Sequence, residues 1–163
     1  MKHTISVLVE NHFGVLARIA SLFSARGYNI DSLCVGETEN PEVSRMTVVV
    51  RGDDSVIDQI IKQLNKVADT IEVSDLTRHR FVERELVLIK VQASGEARSE
   101  ALEIAGVFRA TTVDISAETI TFELTGSESK VEAFIDMMRA FSVQELVRTG
   151  EIAMNRAART SQP

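Results

Sequence analysis

One order of hydrophobic patterns runs through this chain twice, and it limits the available folds more than any other feature. From Thr4 to Glu10, Ile5, Val7 and Val9 alternate with Ser6, Leu8 and Glu10, the two-residue period of a strand. After Asn11-His12-Phe13-Gly14, the residues Leu16, Ile19, Ala20 and Phe23 fall at i, i+3, i+4, i+7 helical spacing, and Gly27 follows as a stop. Ile30 to Glu37 is strand-like, Glu39-Asn40-Pro41-Glu42 reads as a turn, and Met46, Val48 and Val50 alternate again, so these strands form a hairpin. Asp54 or Ser55 caps a second helix carrying Ile57, Ile60, Ile61 and Leu64, and Ile71 and Val73 mark a last strand. The order through Leu76 is βαββαβ.

Thr77-Arg78-His79-Arg80 breaks the pattern with polar and charged residues, and 77–83 is the expected connector. Beyond it the order starts again. Leu86, Leu88 and Lys90 alternate with Val87, Ile89 and Val91, and Ala101, Ile104, Ala105 and Phe108 repeat the helical spacing. Val113 and Ile115, a turn near Ala117-Glu118, and Ile120, Phe122 and Leu124 make a second hairpin. A helix with Val131, Phe134, Ile135 and Met138 precedes a closing element over Val143 to Val147. The pattern predicts an α+β protein of two tandem ferredoxin-like βαββαβ domains, residues 1–76 and 84–163. A length of 163 residues accommodates two such domains. From Thr149 onward apolar periodicity fades after Ala153, which predicts a loosely held, flexible tail.

Composition excludes several classes of function. A net charge of −6 with one Tyr and no Trp opposes binding to a phosphate backbone, so no nucleic-acid partner is expected. No run approaches the ~20 apolar residues of a membrane span, and the first residues lead into a strand rather than a signal peptide. No membrane association is expected, and the expected location is the cytoplasm. The lone Cys34, between Leu33 and Val35, excludes an internal disulfide and a CxxC motif, and reads as a buried apolar residue.

The most informative local feature is Asn11-His12-Phe13-Gly14-Val15-Leu16, which joins a strand to a helix start. Unpaired amides and the helix dipole at such a point suit an anion, including the carboxylate of a free amino acid. Gly14 permits close backbone approach or positive φ, and Asn11 offers a donor and an acceptor. A plainer account has Asn11 capping the helix and Gly14 turning the chain, and spacing alone prefers it. At the other end of the helix, Asn29 is either a second ligand contact or an ordinary turn residue. At ~1.5 Å of rise per residue the two ends are about 20 Å apart, so Asn11 and Asn29 cannot hold one small ligand within one chain, but can across an interface.

Several stretches are distinctive. Ile5-Ser6-Val7-Leu8-Val9-Glu10-Asn11 with Gly14-Val15-Leu16, and then Phe23-Ser24-Ala25-Arg26-Gly27-Tyr28-Asn29-Ile30, resemble the ACT domain of acetolactate synthase small subunits. Ser44-Arg45-Met46-Thr47, Arg84-Glu85-Leu86 with Lys90-Val91, Phe108-Arg109-Ala110 with Val113-Asp114, and Arg148-Thr149-Gly150 resemble the same family over nearly the whole chain. The resemblance implies an amino-terminal ACT domain that forms a homodimer and binds valine, or a related branched-chain amino acid, at the dimer interface. It maps the effector site onto Asn11, Gly14 and Asn29. It extends the effector site to the neighbours His12, Phe13, Val15, Leu16 and Ile30; His12 and Phe13 vary between members, so no specific role falls to their side chains, and Val15, Leu16 and Ile30 read equally well as core.

The resemblance also implies a large catalytic subunit as partner, activated by this chain and placed under feedback control in branched-chain amino acid biosynthesis. It implies no catalytic residues, metal or cofactor in this chain, with thiamine diphosphate, magnesium and FAD held by the catalytic subunit. Arg84, Glu85 and Lys90 belong either to the partner surface or, more simply, to a solvated charged strand edge.

Other uses of the topology fit less well. Acylphosphatases place an Arg in the first strand-to-helix loop, and Glu10 to Val15 contains none; Arg18, one turn inside the helix, is expected to face solvent. Cys34, His3, His12 and His79 show no nucleophile-base spacing. RNA-recognition domains need the surface aromatics and basic charge missing here. A freestanding ACT-type sensor of some other enzyme is opposed by the resemblance of the second half.

Overall fold

The computed structural model describes residues 1–157, which divide into two compact units, Met1–Val82 together with 151–157, and Glu83–Gly150.

In the first unit the elements are β1 (Lys2–Glu10), α1 (Val15–Ala25), β2 (Ile30–Glu37), β3 (Val43–Arg51), α2 (Asp54–Leu64) and β4 (Thr70–Asp75). The strands form an antiparallel sheet in the order β2-β3-β1-β4. Ile5, Val7 and Val9 of β1 lie opposite Val48, Met46 and Ser44 of β3, so the apolar sets of both strands share one face. Ile19 and Phe23 of α1 and Ile57, Ile60 and Leu64 of α2 close over that face, each buried. Fully burying a side chain of this size contributes roughly 1.5 to 3 kcal/mol. The cap of α2 is neither Asp54 nor Ser55. It is Asp53, whose Oδ1 accepts from Val56 N at 2.9 Å and from Ser55 Oγ at 2.6 Å. Cys34 is half-buried on β2 opposite Thr47 rather than in the core, because Leu33 and not Cys34 points to the helices.

The second unit contains most of β5 (Phe81–Gln92), then α3 (Glu96–Phe108), β6 (Thr111–Ile115), β7 (Thr119–Gly126), α4 (Glu128–Met138) and β8 (Val143–Arg148). Its sheet order, β6-β7-β5-β8, is the same arrangement as in the first unit. Val87, Ile89 and Val91 pack with Ile120, Phe122 and Leu124 beneath Val131, Phe134 and Met138. Phe134 meets Phe122 edge-on at 6.2 Å and Phe108 at 5.3 Å, contacts worth about 0.5–1.5 kcal/mol each beyond burial. The two βαββαβ units of the expected α+β fold are therefore present.

Three expectations require correction. The boundary between the units, Val82 to Glu83, falls within the expected connector 77–83, but that stretch is structured: a 3-10 turn spans Leu76–Arg78, β5 already begins at Phe81, and Arg78 is held by Asp58 at 2.6 Å and Asp75 at 3.0 Å. Nor is the chain after Thr149 loosely held as far as it is described, since it forms β9 (Ile152–Asn155) and the Arg156 N–H then donates to Arg80 O at 2.8 Å within the first unit. Glu151 is buried, accepting from Lys2 Nζ at 2.9 Å and Thr4 Oγ1 at 2.8 Å, while its N–H donates to Ser32 Oγ at 3.2 Å. The part of the expected tail over 158–163 lies outside the described residues. Finally, Glu85 is not on a solvated edge, because β5 lies between β7 and β8. It is buried on Arg148, whereas Arg84 is exposed and Lys90 makes an exposed pair with Glu145 at 3.4 Å. Among the described residues, no helix is long and apolar enough to cross a membrane.

Candidate effector site

The loop between β1 and α1 is fastened on both sides. The Asn11 N–H donates to Glu42 O at 2.7 Å, and its Nδ2 donates to Pro41 O at 2.8 Å and to Glu37 Oε1 at 3.3 Å. Asn11 is thus tied to the β2–β3 turn and does not cap the helix, contrary to the plainer sequence reading. With the amide nitrogen used, its Oδ1 remains an acceptor.

The N-cap of α1 is Gly14, at φ 88° and ψ −9°. A left-handed conformation costs a side-chain-bearing residue about 1–2 kcal/mol, which glycine avoids. An added Cβ would have room, its nearest neighbour being Arg18 Nη2 at 3.7 Å. No side chain caps this helix and its first turn contains no acidic residue. The first-turn amides and the positive end of the dipole therefore meet no built-in anion.

The remaining loop residues divide sharply. Val15 is 3% exposed and belongs to the core, and Ile30 packs against it from β2, so their side chains are spent on folding. Phe13 is 100% exposed and Leu16 46%, an apolar pair standing beside the open helix end. The His12 ring contacts carboxylates and a backbone carbonyl. Its Nε2 lies 3.0 Å from Asp69 Oδ1 and 3.3 Å from Glu10 Oε2, and its Nδ1 lies 3.2 Å from Phe13 O. The Phe13 carbonyl, and then the Asp69 and Glu10 carboxylates, raise the basicity of this imidazole above the ordinary value of 6.5.

Asp69 is 6% exposed, and its Oδ2 is 2.9 Å from Arg18 Nη1. Arg18 is exposed, as its position in the helix suggests, and its guanidinium also reaches Asp69. Ligand atoms of Glu10, His12 and Asp69 lie within 4.8 Å of one another. With a guanidinium on Asp69 and both ring nitrogens directed at acceptors, the charges are balanced within the protein as a set of ion pairs. Sequence reasoning did not group these residues. Asp69 is remote in the chain and is brought in only by the turn before β4, where Glu10 N donates to Asp69 O at 2.9 Å.

Asn29 sits elsewhere. Its Nδ2 donates to Asp31 Oδ1 at 2.9 Å, and Asp31 Oδ2 pairs with Arg51 Nε at 2.5 Å. It precedes the first residue of β2, whereas Asn11 holds Glu37, the last. An eight-residue strand at ~3.3 Å per residue separates them by roughly 25 Å. Within one chain the fold brings together Asn11 and Gly14 and leaves Asn29 apart.

Comparison with known proteins identifies the lineage. A family model described as the small subunit of acetolactate synthase matches residues 84–157, and one described as an AHAS small subunit-like ACT domain matches residues 5–72. The chain is similar to a probable acetolactate synthase small subunit from Archaeoglobus fulgidus, at 57% identity over 96% of this chain and 98% of that one. The acetolactate synthase small subunit of Aquifex aeolicus is 52% identical over 95% of this chain and 81% of its own length. Among solved structures, the acetolactate synthase small subunit from Thermotoga maritima superposes with a TM-score of 0.88 at 42% identity, covering 97% of this chain and 99% of that chain. With both halves matched and the relatives aligned over nearly its whole length, the chain belongs to the acetolactate synthase small subunit family.

Proposed function

We propose that this chain is the regulatory subunit of an acetolactate synthase, without catalytic activity of its own. It activates a separate catalytic subunit in the cytoplasm and makes that subunit responsive to valine or a related branched-chain amino acid. Thiamine diphosphate, magnesium and FAD stay with the catalytic subunit. The observation that carries the effector reading is the uncapped start of α1 at Gly14 beside Asn11. First-turn amides suit a carboxylate, and an amide oxygen already oriented by Nδ2 bonds suits an ammonium group.

In this reading, two copies of the chain form each site. One contributes Asn11 and Gly14, and the other contributes Asn29, whose Nδ2 is likewise occupied by Asp31 and whose Oδ1 is left as an acceptor. The exposed Phe13 and Leu16 give the pairing surface an apolar component. A coupling of ~1–3 kcal/mol between effector binding and the active conformation would shift that equilibrium about 5- to 150-fold.

The test is acetolactate formation from pyruvate by the catalytic subunit, with and without this chain and valine, alongside Gly14→Asp and Asn29→Ala. Activation that valine reverses in the wild type but not in the variants supports both the role and the site. Activation without a valine response removes the effector assignment. No activation of a competent catalytic subunit favours a freestanding amino-acid sensor.

A further inference from the structure

We propose that His12 is a positioning residue of the effector loop, an imidazolium brace that ties the loop to Glu10 and Asp69 and loosens it when the proton leaves. The geometry stands on its own, while the consequence for effector binding rests on the reading of Asn11 and Gly14 given above.

The ring faces acceptors on both sides. Nδ1 is 3.2 Å from the Phe13 carbonyl, and Nε2 is 3.0 Å from Asp69 Oδ1 and 3.3 Å from Glu10 Oε2. A neutral imidazole has one N–H, so either tautomer turns a lone pair onto an oxygen; only the doubly protonated ring donates in both directions. The charged groups facing it come from three elements: Glu10 at the end of β1, Asp69 before β4, and Arg18 on α1. Two carboxylates outweigh the single guanidinium, which bears on the far oxygen of Asp69 at 2.9 Å.

The brace acts where the loop has few other anchors. Asn11 is fastened to the β2–β3 turn, but Phe13 is 100% exposed and Gly14 has no side chain. His12 therefore supplies the side-chain contact that fixes the Phe13 carbonyl and the approach to Gly14. If the effector needs the ordered loop, its apparent affinity scales with the ordered fraction. The sign follows from a raised pKa. The brace is fully present below about 6.5 and is lost as pH rises through the higher value of the folded chain.

The experiment uses the full chain. NMR titration of the His12 ring without effector is read beside amide exchange at Gly14, for the wild type, Asp69→Asn and Glu10→Gln. Valine affinity is then measured by calorimetry at about pH 6 and about pH 8.5, for the wild type and His12→Gln. The expected results are a His12 midpoint above the ordinary imidazole value, a loss of Gly14 protection above that midpoint (exchange measured relative to the intrinsic base-catalysed rate at each pH), and a lower midpoint in both carboxylate variants. Valine affinity should fall by about threefold or more at the higher pH in the wild type and stay level in His12→Gln. A His12 midpoint at or below the ordinary value, or Gly14 protection that ignores it, overturns the brace. Valine that fails to bind at either pH, with the His12 and Gly14 signals moving together, supports the brace and removes the effector reading instead.

Discussion

The Arg148 guanidinium grips Glu85 with both prongs, Nε to Oε1 at 2.8 Å and Nη2 to Oε2 at 2.7 Å, and turns its remaining arm to Glu132 at 2.6 Å. Glu85 is buried in central β5 while Arg148, on edge strand β8, is one-third exposed. Glu85 holds the Arg148 pKa well above the ordinary arginine range. Removing one member of a buried pair costs more than the pair itself contributes, because a desolvated charge is left behind. Discounted for the exposure of Arg148, Glu85→Gln should destabilise the chain by about 2 kcal/mol. Glu132→Gln, at an exposed carboxylate, should cost about 0.5 kcal/mol. Urea unfolding checks the pair, and equal losses would contradict the burial argument.

The two units end their first helices alike but with different residues. Tyr28 N donates to Phe23 O and Gly27 N to Ser24 O, with Gly27 at φ 69°; Ala110 N donates to Ala105 O and Arg109 N to Gly106 O, with Arg109 at φ 58°. Arg109 therefore bears a left-handed strain that Gly27 does not. Arg109→Gly should stabilise the chain by roughly 0.5–1 kcal/mol and Gly27→Ala should destabilise it by a similar amount. No atom lies within 4 Å of a Cβ built on Gly27, so the second effect would be backbone alone. Melting curves of both variants test this, and matching signs would refute it.

Those two turns also show what a sequence discloses. Gly27 advertises a helix stop, whereas Arg109 carries no such signal and its turn is visible only in coordinates. The strands and helices were legible because an apolar face repeats every two or 3.6 residues. Asn11 and Gly14 were legible as a loop at a helix start. What was not legible depends on charges meeting across the chain, as with His12 on Asp69, Glu85 on Arg148 and Glu151 on Lys2, which hydrophobic periodicity does not register.

Glu151 gives the largest departure. A polar stretch read as a tail is fastened by a buried carboxylate accepting from Lys2 and Thr4 of β1. Glu151→Ala should destabilise the first unit by about 2 kcal/mol and speed amide exchange in β1, leaving α3 and β7 unchanged. Exchange in β1 equal to wild type would show that β9 alone holds the segment.

Asp53, rather than either residue after it, terminates α2. Its carboxylate accepts from Ser55 Oγ and Val56 N, and these bonds hold its pKa below the ordinary 3.8. A depressed carboxylate contributes stability above the unfolded value that is lost as pH falls through the folded one. Asp53→Ala should therefore lower the melting temperature at neutral pH, by more than Asp54→Ala, with the difference from wild type closing below about pH 3.8. A difference that persists in acid would assign the effect to something other than the cap.

Gly14 separates the stability of the fold from the shape of the site. A methyl group there meets only Arg18 Nη2 at ordinary contact distance, so Gly14→Ala should fold. It must, however, bear φ 88° or relax away from it, a choice worth about 1–2 kcal/mol. Only the second response is felt at the first-turn amides. If the strain is relieved by moving the loop, the ordered site is repopulated only at that cost, and valine affinity should fall about five- to thirty-fold. If the strain is borne in place, global stability falls instead by the same 1–2 kcal/mol and affinity is kept. Calorimetry with valine and urea unfolding on the same variant distinguish the two, and a variant unchanged in both would mean that positive φ at this helix start is not required.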